Sequence, residues 1–199
     1  MPDTYWNHNT AYHSWILSRV SGAGSALDVG CGDGLLLERL SPVCASVTGI
    51  EPDPGAAELA RQRTSALGNV RVIRADFTTV PLPSASFNAL IFSASLHHMD
   101  METALRKAAD LLTPGGVLLI VGLAKPESAG DYLIEALRVI PAKTGSLVHG
   151  ERRGGSPDVP VRDPETGLGT IRRTCAAILP GAKIRRGLYY RWLLRWRKP

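Results

Sequence analysis

Gly30, Gly32 and Gly34 alternate with Cys31 and Asp33 directly after an apolar run and directly before a helical one. Glycine turns sharply and has no Cβ, so such a loop lets the backbone approach a ligand closely. Glu51 stands 21 residues after Gly30, behind Gly49-Ile50, where a carboxylate can accept hydrogen bonds from both hydroxyls of a ribose. Asp76 can accept from an adenine amino group, and the adjacent Phe77 can lie against the ring. Together these spacings point to a nucleoside-containing ligand. Each residue alone also has a plain use, Glu51 as a polar strand end and Asp76 as a turn residue. His97 and His98 offer imidazoles that could move a proton near neutral pH, or could simply bond backbone at a helix start.

These residues need a scaffold that brings separate chain segments to one edge. Apolar runs at 25–30, 46–50, 70–75, 87–93 and 117–122 read as strands, and 34–40, 54–67 and 101–112 between them read as helices. That alternation predicts an α/β fold with a parallel sheet covered on both faces, and it puts the candidate ligands at strand carboxyl ends. Asp53 before Pro54, and Asp100 before Met101, are helix caps by type and position. Residues 9–21 place Tyr12, Trp15, Ile16 and Val20 on one helical face, and 132–140 and 170–179 read as further helices. Residues 141–170 hold six glycines and four prolines, a composition for a loop over a site. Near the end, Ile184, Leu188, Tyr190, Trp192, Leu194 and Trp196 share one parity, and Lys183, Arg185, Arg191, Arg195 and Arg197 the other. Period two means strand, here two strands broken near 187–189, which completes a sheet of seven.

At 199 residues, 44% apolar and 21% charged, the chain suits one globular domain. No run of eighteen apolar residues is present, and the first residues lack a signal-peptide pattern. Cys31, Cys44 and Cys175 are odd in number and fit no metal-ligand spacing, so reduced thiols in a cytoplasm, with no metal, are the expectation. The net charge of +5 is lopsided: residues 1–142 carry 10 basic against 14 acidic residues, and 143–199 carry 13 against 4. Such an end is either a solvated basic edge or a surface for an acidic partner, nucleic acid included.

On Leu27-Asp28-Val29-Gly30-Cys31-Gly32-Asp33-Gly34, Gly49-Ile50-Glu51-Pro52, Ala75-Asp76-Phe77, Ser95-Leu96-His97-His98 and Leu112-Thr113-Pro114-Gly115-Gly116, the chain resembles the class I methyltransferases dependent on S-adenosylmethionine (SAM), in their compact small-molecule type. The resemblance runs from about residue 25 to 121. It implies a Rossmann-like, doubly wound sheet of seven strands, mostly parallel with an antiparallel last strand. It also implies a single methyltransferase domain: an N-terminal lid helix over 1–24, a SAM-binding core over 25–125, and over 126–199 a helix, the loop 141–170, a second helix and a strand hairpin. Asp28 and the loop of Gly30, Cys31, Gly32 and Gly34 would hold the methionine part of SAM. Glu51 would hold the ribose and Asp76 with Phe77 the adenine, Pro52 and Ser93 completing the cofactor contacts. Asn88 departs from the family, which often has aspartate there. The Gly-x-Gly-x-Gly pattern also differs from the Gly-x-Gly-x-x-Gly that accommodates a dinucleotide pyrophosphate, and SAM has no phosphate.

A sulfonium methyl is already a strong electrophile, so alignment and desolvation supply most of the catalysis, about 7–11 kcal/mol. A base helps a hydroxyl nucleophile and matters less for an amine, thiolate or carbanion. The family places the acceptor beside His97 and His98, with His98 the preferred base and His13 a further candidate. Tyr5, Trp6, Tyr12 and His13 are expected to line the acceptor pocket under the lid, and Arg191 at the hairpin turn to pair with a carboxylate or phosphate of the acceptor. The expected reaction is in-line transfer from SAM to a small molecule, leaving S-adenosylhomocysteine (SAH), by a monomer or homodimer with no membrane partner. Two alternatives stand beside it: an RNA methyltransferase, suggested by the interleaved Arg and Trp of the basic end, and a SAM-binding protein without catalysis.

Overall fold

The structure, a computed structural model, describes residues 7–127, 164–188 and 191–199. Seven strands form one sheet in the order β3-β2-β1-β4-β5-β7-β6. They are β1 (Ala23–Val29), β2 (Cys44–Glu51), β3 (Val70–Arg74), β4 (Phe87–Ser93), β5 (Leu112–Leu123), β6 (Lys183–Arg186) and β7 (Arg191–Arg197). Strands β1 to β5 pair in parallel, and β7 runs antiparallel to both β5 and β6. The predicted class and strand count are thus observed. The helices among the described residues are α1 (His13–Val20), α2 (Leu35–Leu40), α3 (Pro54–Thr64), α4 (Met101–Leu111) and α5 (Leu168–Ile178), with short 3-10 turns at Thr10–Tyr12 and Leu96–His98.

Side chains alternate across each strand and build two apolar layers. Leu27, Val29, Leu90, Phe92, Leu118 and Ile120 face α4 and α5, meeting Leu105, Leu111, Ile171 and Cys175. Ala26, Ala89, Ile91, Leu119 and Val121 face the other way and meet Ile16 of α1, Leu36 and Leu37 of α2 and Ala60 of α3. The caps form as their residue types require. Asp53 accepts from the Ala56 N–H at 2.8 Å, and Asp100 from the Thr103 N–H at 2.8 Å.

Several boundaries move for non-local reasons. Strand β5 starts at Leu112, not 117. A register irregularity opposite Phe87 lets the 113–116 turn join the ladder, where Gly115 N–H donates to the Lys198 carbonyl and Lys198 N–H to the Gly116 carbonyl, each at 2.9 Å. Helix α5 begins two residues early, inside the segment read as loop, because Lys125 pairs with Gly167 and fixes the chain just ahead of it. Trp15, on the helical face of Ile16, packs against the same apolar layer but is only partly buried and carries the Arg19 guanidinium 4.7 Å above its ring. Tyr5, Trp6, Tyr189, Tyr190, the helix predicted over 132–140 and residues 141–163 lie outside the described residues. No described helix is long and apolar enough to cross a membrane.

Candidate active site

Strand order reverses between β1 and β4, so chain leaving their carboxyl ends diverges and opens a crevice, the usual ligand position in such sheets. A cavity of about 500 Å³ lies there. The glycine loop forms its floor. Gly30 has φ +71°, and a Cβ on it would stand 2.5 Å from Ser95 Cβ; Gly34 has φ +82°, and its Cβ would stand 2.9 Å from Ala60 Cα. Both therefore need glycine twice over, for backbone angle and for space. Gly30 and Cys31 N–H donate to the Ile50 carbonyl at 2.8 and 3.1 Å, tying the loop to β2.

Two carboxylates meet under this loop. Glu51 is buried at the end of β2, with one oxygen accepting from Gly32 N–H at 2.9 Å and the other from Asp53 N–H at 3.0 Å. The expected ribose acceptor is thus also a brace for the glycine loop. Asp28, in β1, is 1% exposed and lines the cavity, and its Oδ1 has no hydrogen-bond partner among the described residues. Burial, then the neighbouring Glu51 charge, pushes its pKa up to about 7. An unsatisfied buried carboxyl oxygen in a cavity wall is a strong demand for a donor or a cation. The ammonium of a methionine moiety meets that demand, so the residues present fit SAM.

Asp76 also lines the cavity, and its Oδ1 accepts from the Thr78 N–H at 2.7 Å and hydroxyl at 2.6 Å, which hold its pKa below the ordinary value. The turn use and the ligand-facing position coincide in this one side chain. Phe77 lines the same wall but is 2% exposed, edge-on to Phe92 with ring centroids 5.6 Å apart. It is a core residue that also lines the cavity, beside Asp76 as the sequence reading placed it. Cys31, Pro52 and Ser93 line the cavity as well.

At the other end of the cavity stand His97, His98 and Arg191. The two imidazoles are stacked, 4.1 Å between centroids and tilted 39°. Arg191 opens β7 and directs Nε to Asn9 Oδ1 at 3.2 Å. Burial brings its pKa down to about 10, against the opposing effect of Tyr12, and it remains a cation at neutral pH.

Two expected residues do something else. His13 lines the cavity but is buried and accepts from Arg39 Nη1 through Nδ1 at 2.9 Å. Burial, then the Arg39 charge, lowers its pKa to about 3, so it is a neutral hydrogen-bonding group and a poor base. Its Nδ1 is thus committed to Arg39, and of the three expected imidazoles His97 and His98 are the ones kept for the base role proposed below. Tyr12 is absent from the cavity wall. Its hydroxyl donates to the Leu188 carbonyl at 2.8 Å and sits where a Cβ on Gly187 would be, clamping the N-terminal segment to the β6–β7 turn.

Sequence reading missed Asn7, Asn9 and Ser95. Asn7 Oδ1 accepts from the Asn9 and Thr10 N–H groups, each at 2.9 Å, while Thr10 Oγ1 accepts from Asn7 N–H at 2.8 Å. That reciprocal turn was legible as Asn-x-x-Thr ahead of a helix. Ser95 is buried with its hydroxyl on the Val29 carbonyl, joining the histidine loop to the strand before Gly30. No local signal marks that contact, 66 residues apart.

Comparison with known proteins agrees with this geometry. Residues 27–120 match the family model described as a methyltransferase domain. An uncharacterized methyltransferase of Mycobacterium tuberculosis is 37% identical over 199 residues, covering 99% of both chains. The chain belongs to the class I SAM-dependent methyltransferases. A ubiquinone biosynthesis O-methyltransferase of Xanthomonas axonopodis pv. citri is 32% identical over 123 residues, 58% of this methyltransferase and 50% of that protein. The N-methyltransferase NodS of Bradyrhizobium japonicum, crystallised with SAH, shares the fold at TM-score 0.66 and 20% identity, over 97% of this chain and 89% of that one. SAM is the cofactor of this methyltransferase. Among the described residues no group of three or more His, Cys, Asp or Glu could hold a metal.

Proposed function

We propose that the methyltransferase acts on a small anionic acceptor, binding it at the His97, His98 and Arg191 end of the cavity. The observation that carries this reading is the division of charge within one cavity: Asp28, Glu51 and Asp76 at one end, and a cation with two imidazoles at the other. The acidic end suits the ammonium and sulfonium of SAM; the basic end suits a carboxylate or phosphate. The O-methyltransferase relatives favour a small acceptor. When bound, SAM supplies an electrophilic methyl group. The chain's own residues then do three things. Asp28 and Glu51 hold the donor, Arg191 orients the acceptor through its anionic group, and a His98 nitrogen takes the proton from the acceptor's hydroxyl or amine. Alignment of donor and acceptor in one cavity supplies the larger part of the rate.

The test is transfer of a labelled methyl group from SAM to paired acceptors, such as 4-hydroxybenzoate and its neutral amide. The carboxylate is expected to be preferred. Arg191→Ala should raise its KM by about 10–100-fold, the worth of one charge-assisted hydrogen bond, with SAH affinity unchanged. Equal loss of SAH affinity would put Arg191 on the methionine carboxylate and overturn its acceptor role. Absence of transfer to any acceptor, with SAH bound, would favour a non-catalytic SAM-binding protein.

A further inference from the structure

A second basic feature lies outside the cavity, on the sheet face that α1 covers. Arg195 pairs with Lys183 across β7 and β6, and Arg185 pairs with Leu193. Cross-strand neighbours project to the same side of a sheet, and Leu193 packs in the layer of Ile16 and Val20. Lys183, Arg185, Arg195 and Arg197 therefore share the face of α1. Arg19, on α1, lies close enough to Arg195 and Arg185 for both charges to lower its pKa, after burial. All five cations are exposed. The ion pairs among the described residues are elsewhere, on Arg61, Arg63 and Arg106. Arg197 donates to the Gly115 carbonyl at 2.6 Å and Arg19 to the Trp15 carbonyl at 2.9 Å, but no carboxylate among the described residues pairs with any of the five, and a polyanionic partner would relieve their mutual repulsion.

The tryptophans discriminate between partners. The sequence interleaves Arg with Trp, which suggested RNA, but strand alternation sends the two to opposite faces. Trp192 and Trp196 are buried, their indole N–H groups donating to the Leu123 and Pro180 carbonyls at 3.0 Å each. Trp15 lies beneath Arg19. Among the described residues the two strands thus offer no open ring on which bases could stack, as single-stranded nucleic acid requires. An anionic bilayer would want an apolar anchor among the cations. The exposed large apolar residues among those described, Leu59 and Leu188, lie on neither β6 nor β7. What remains is a set of four guanidinium groups and one ammonium carried on a paired strand edge and α1, and planar guanidinium forks match carboxylates. We propose that the Arg19, Lys183, Arg185, Arg195 and Arg197 face docks an acidic protein surface.

The probe is a fluorescein-labelled deca-glutamate peptide, compared with a deca-glutamine peptide and a ten-nucleotide oligouridylate by fluorescence anisotropy. The protein is the full chain and its Lys183→Gln/Arg185→Gln/Arg195→Gln variant, whose positions are exposed and lie outside the cavity. Deca-glutamate should bind the wild type at 50 mM salt, bind the variant at least tenfold more weakly, and lose affinity at 300 mM salt. Deca-glutamine should not bind. The variant should melt at the same temperature or higher, since repulsion is relieved. Equal affinity of the two proteins for deca-glutamate would overturn the proposal. So would a lower melting temperature in the variant, which would make the cations structural. Tighter, variant-sensitive binding of oligouridylate would reassign the face to RNA.

Discussion

Replacing Asp28 with asparagine should remove a pH dependence that the wild type partly conceals. Asp28 is buried beside Glu51, and its pKa rises from an ordinary 3.8 to about 7. At about 1.4 kcal/mol per pKa unit, ionising it costs roughly 4 kcal/mol more in the folded apo-protein than in the unfolded chain. A raised folded pKa means that the folded state holds the proton. This contribution to stability is complete below about 3.8 and is lost as pH climbs to about 7. His13 works in the opposite sense. Its folded pKa falls from 6.5 to about 3, so its contribution is complete above 6.5 and is lost as pH drops. Between about pH 4 and 6.5 the two slopes nearly cancel in the wild type. The wild-type-minus-variant difference, measured by urea unfolding from pH 4 to 8, isolates Asp28. Asp28→Asn should gain about 4 kcal/mol relative to the wild type across that range, and should show undisguised acid lability below 6.5. Because the methionine ammonium favours ionised Asp28, wild-type affinity for SAH should rise by up to about tenfold per pH unit toward pH 7 and then level. The variant should bind SAH more weakly, with no such rise. A stability difference that stays constant from pH 4 to 8 would refute the reasoning.

Gly30→Ala should cost about 2–5 kcal/mol in a thermal or urea melt, from the left-handed backbone and the Ser95 collision. Adding Ser95→Gly should recover part of that loss, a non-additivity readable in a double-mutant cycle. Glu51→Ala should weaken SAH about 10–100-fold by calorimetry, since it removes a ribose acceptor and frees the Gly32 and Asp53 N–H groups. His98→Ala should lower kcat by about 10²–10⁴ with SAH affinity intact. A proportionate loss of SAH binding would instead place His98 on the cofactor.

Much was legible before any coordinates. Strand alternation, the Asp53 and Asp100 caps and the glycine loop are local signals, because periodicity and capping act within a few residues. The acidic end of the cavity was readable for the same reason: Asp28 and Glu51 sit in the last residues of β1 and β2, Gly30 and Asp76 follow β1 and β3 within two residues, and parallel strands bring those ends together. Strand order, and the placement of β7 between β5 and β6, depend on pairings that no short window contains. The acceptor end depends on contacts between distant segments, such as Asn9 with Arg191 and Tyr12 with Leu188, 182 and 176 residues apart. So do the titration properties. His13 and Asp28 look like ordinary acid–base groups in the sequence, and it is burial, then Arg39 and Glu51, that leaves the first neutral and brings the second's titration up to neutral pH. Residue type and spacing specify which chemistry is available, but the dielectric and charge around each group arise only when separate segments pack together.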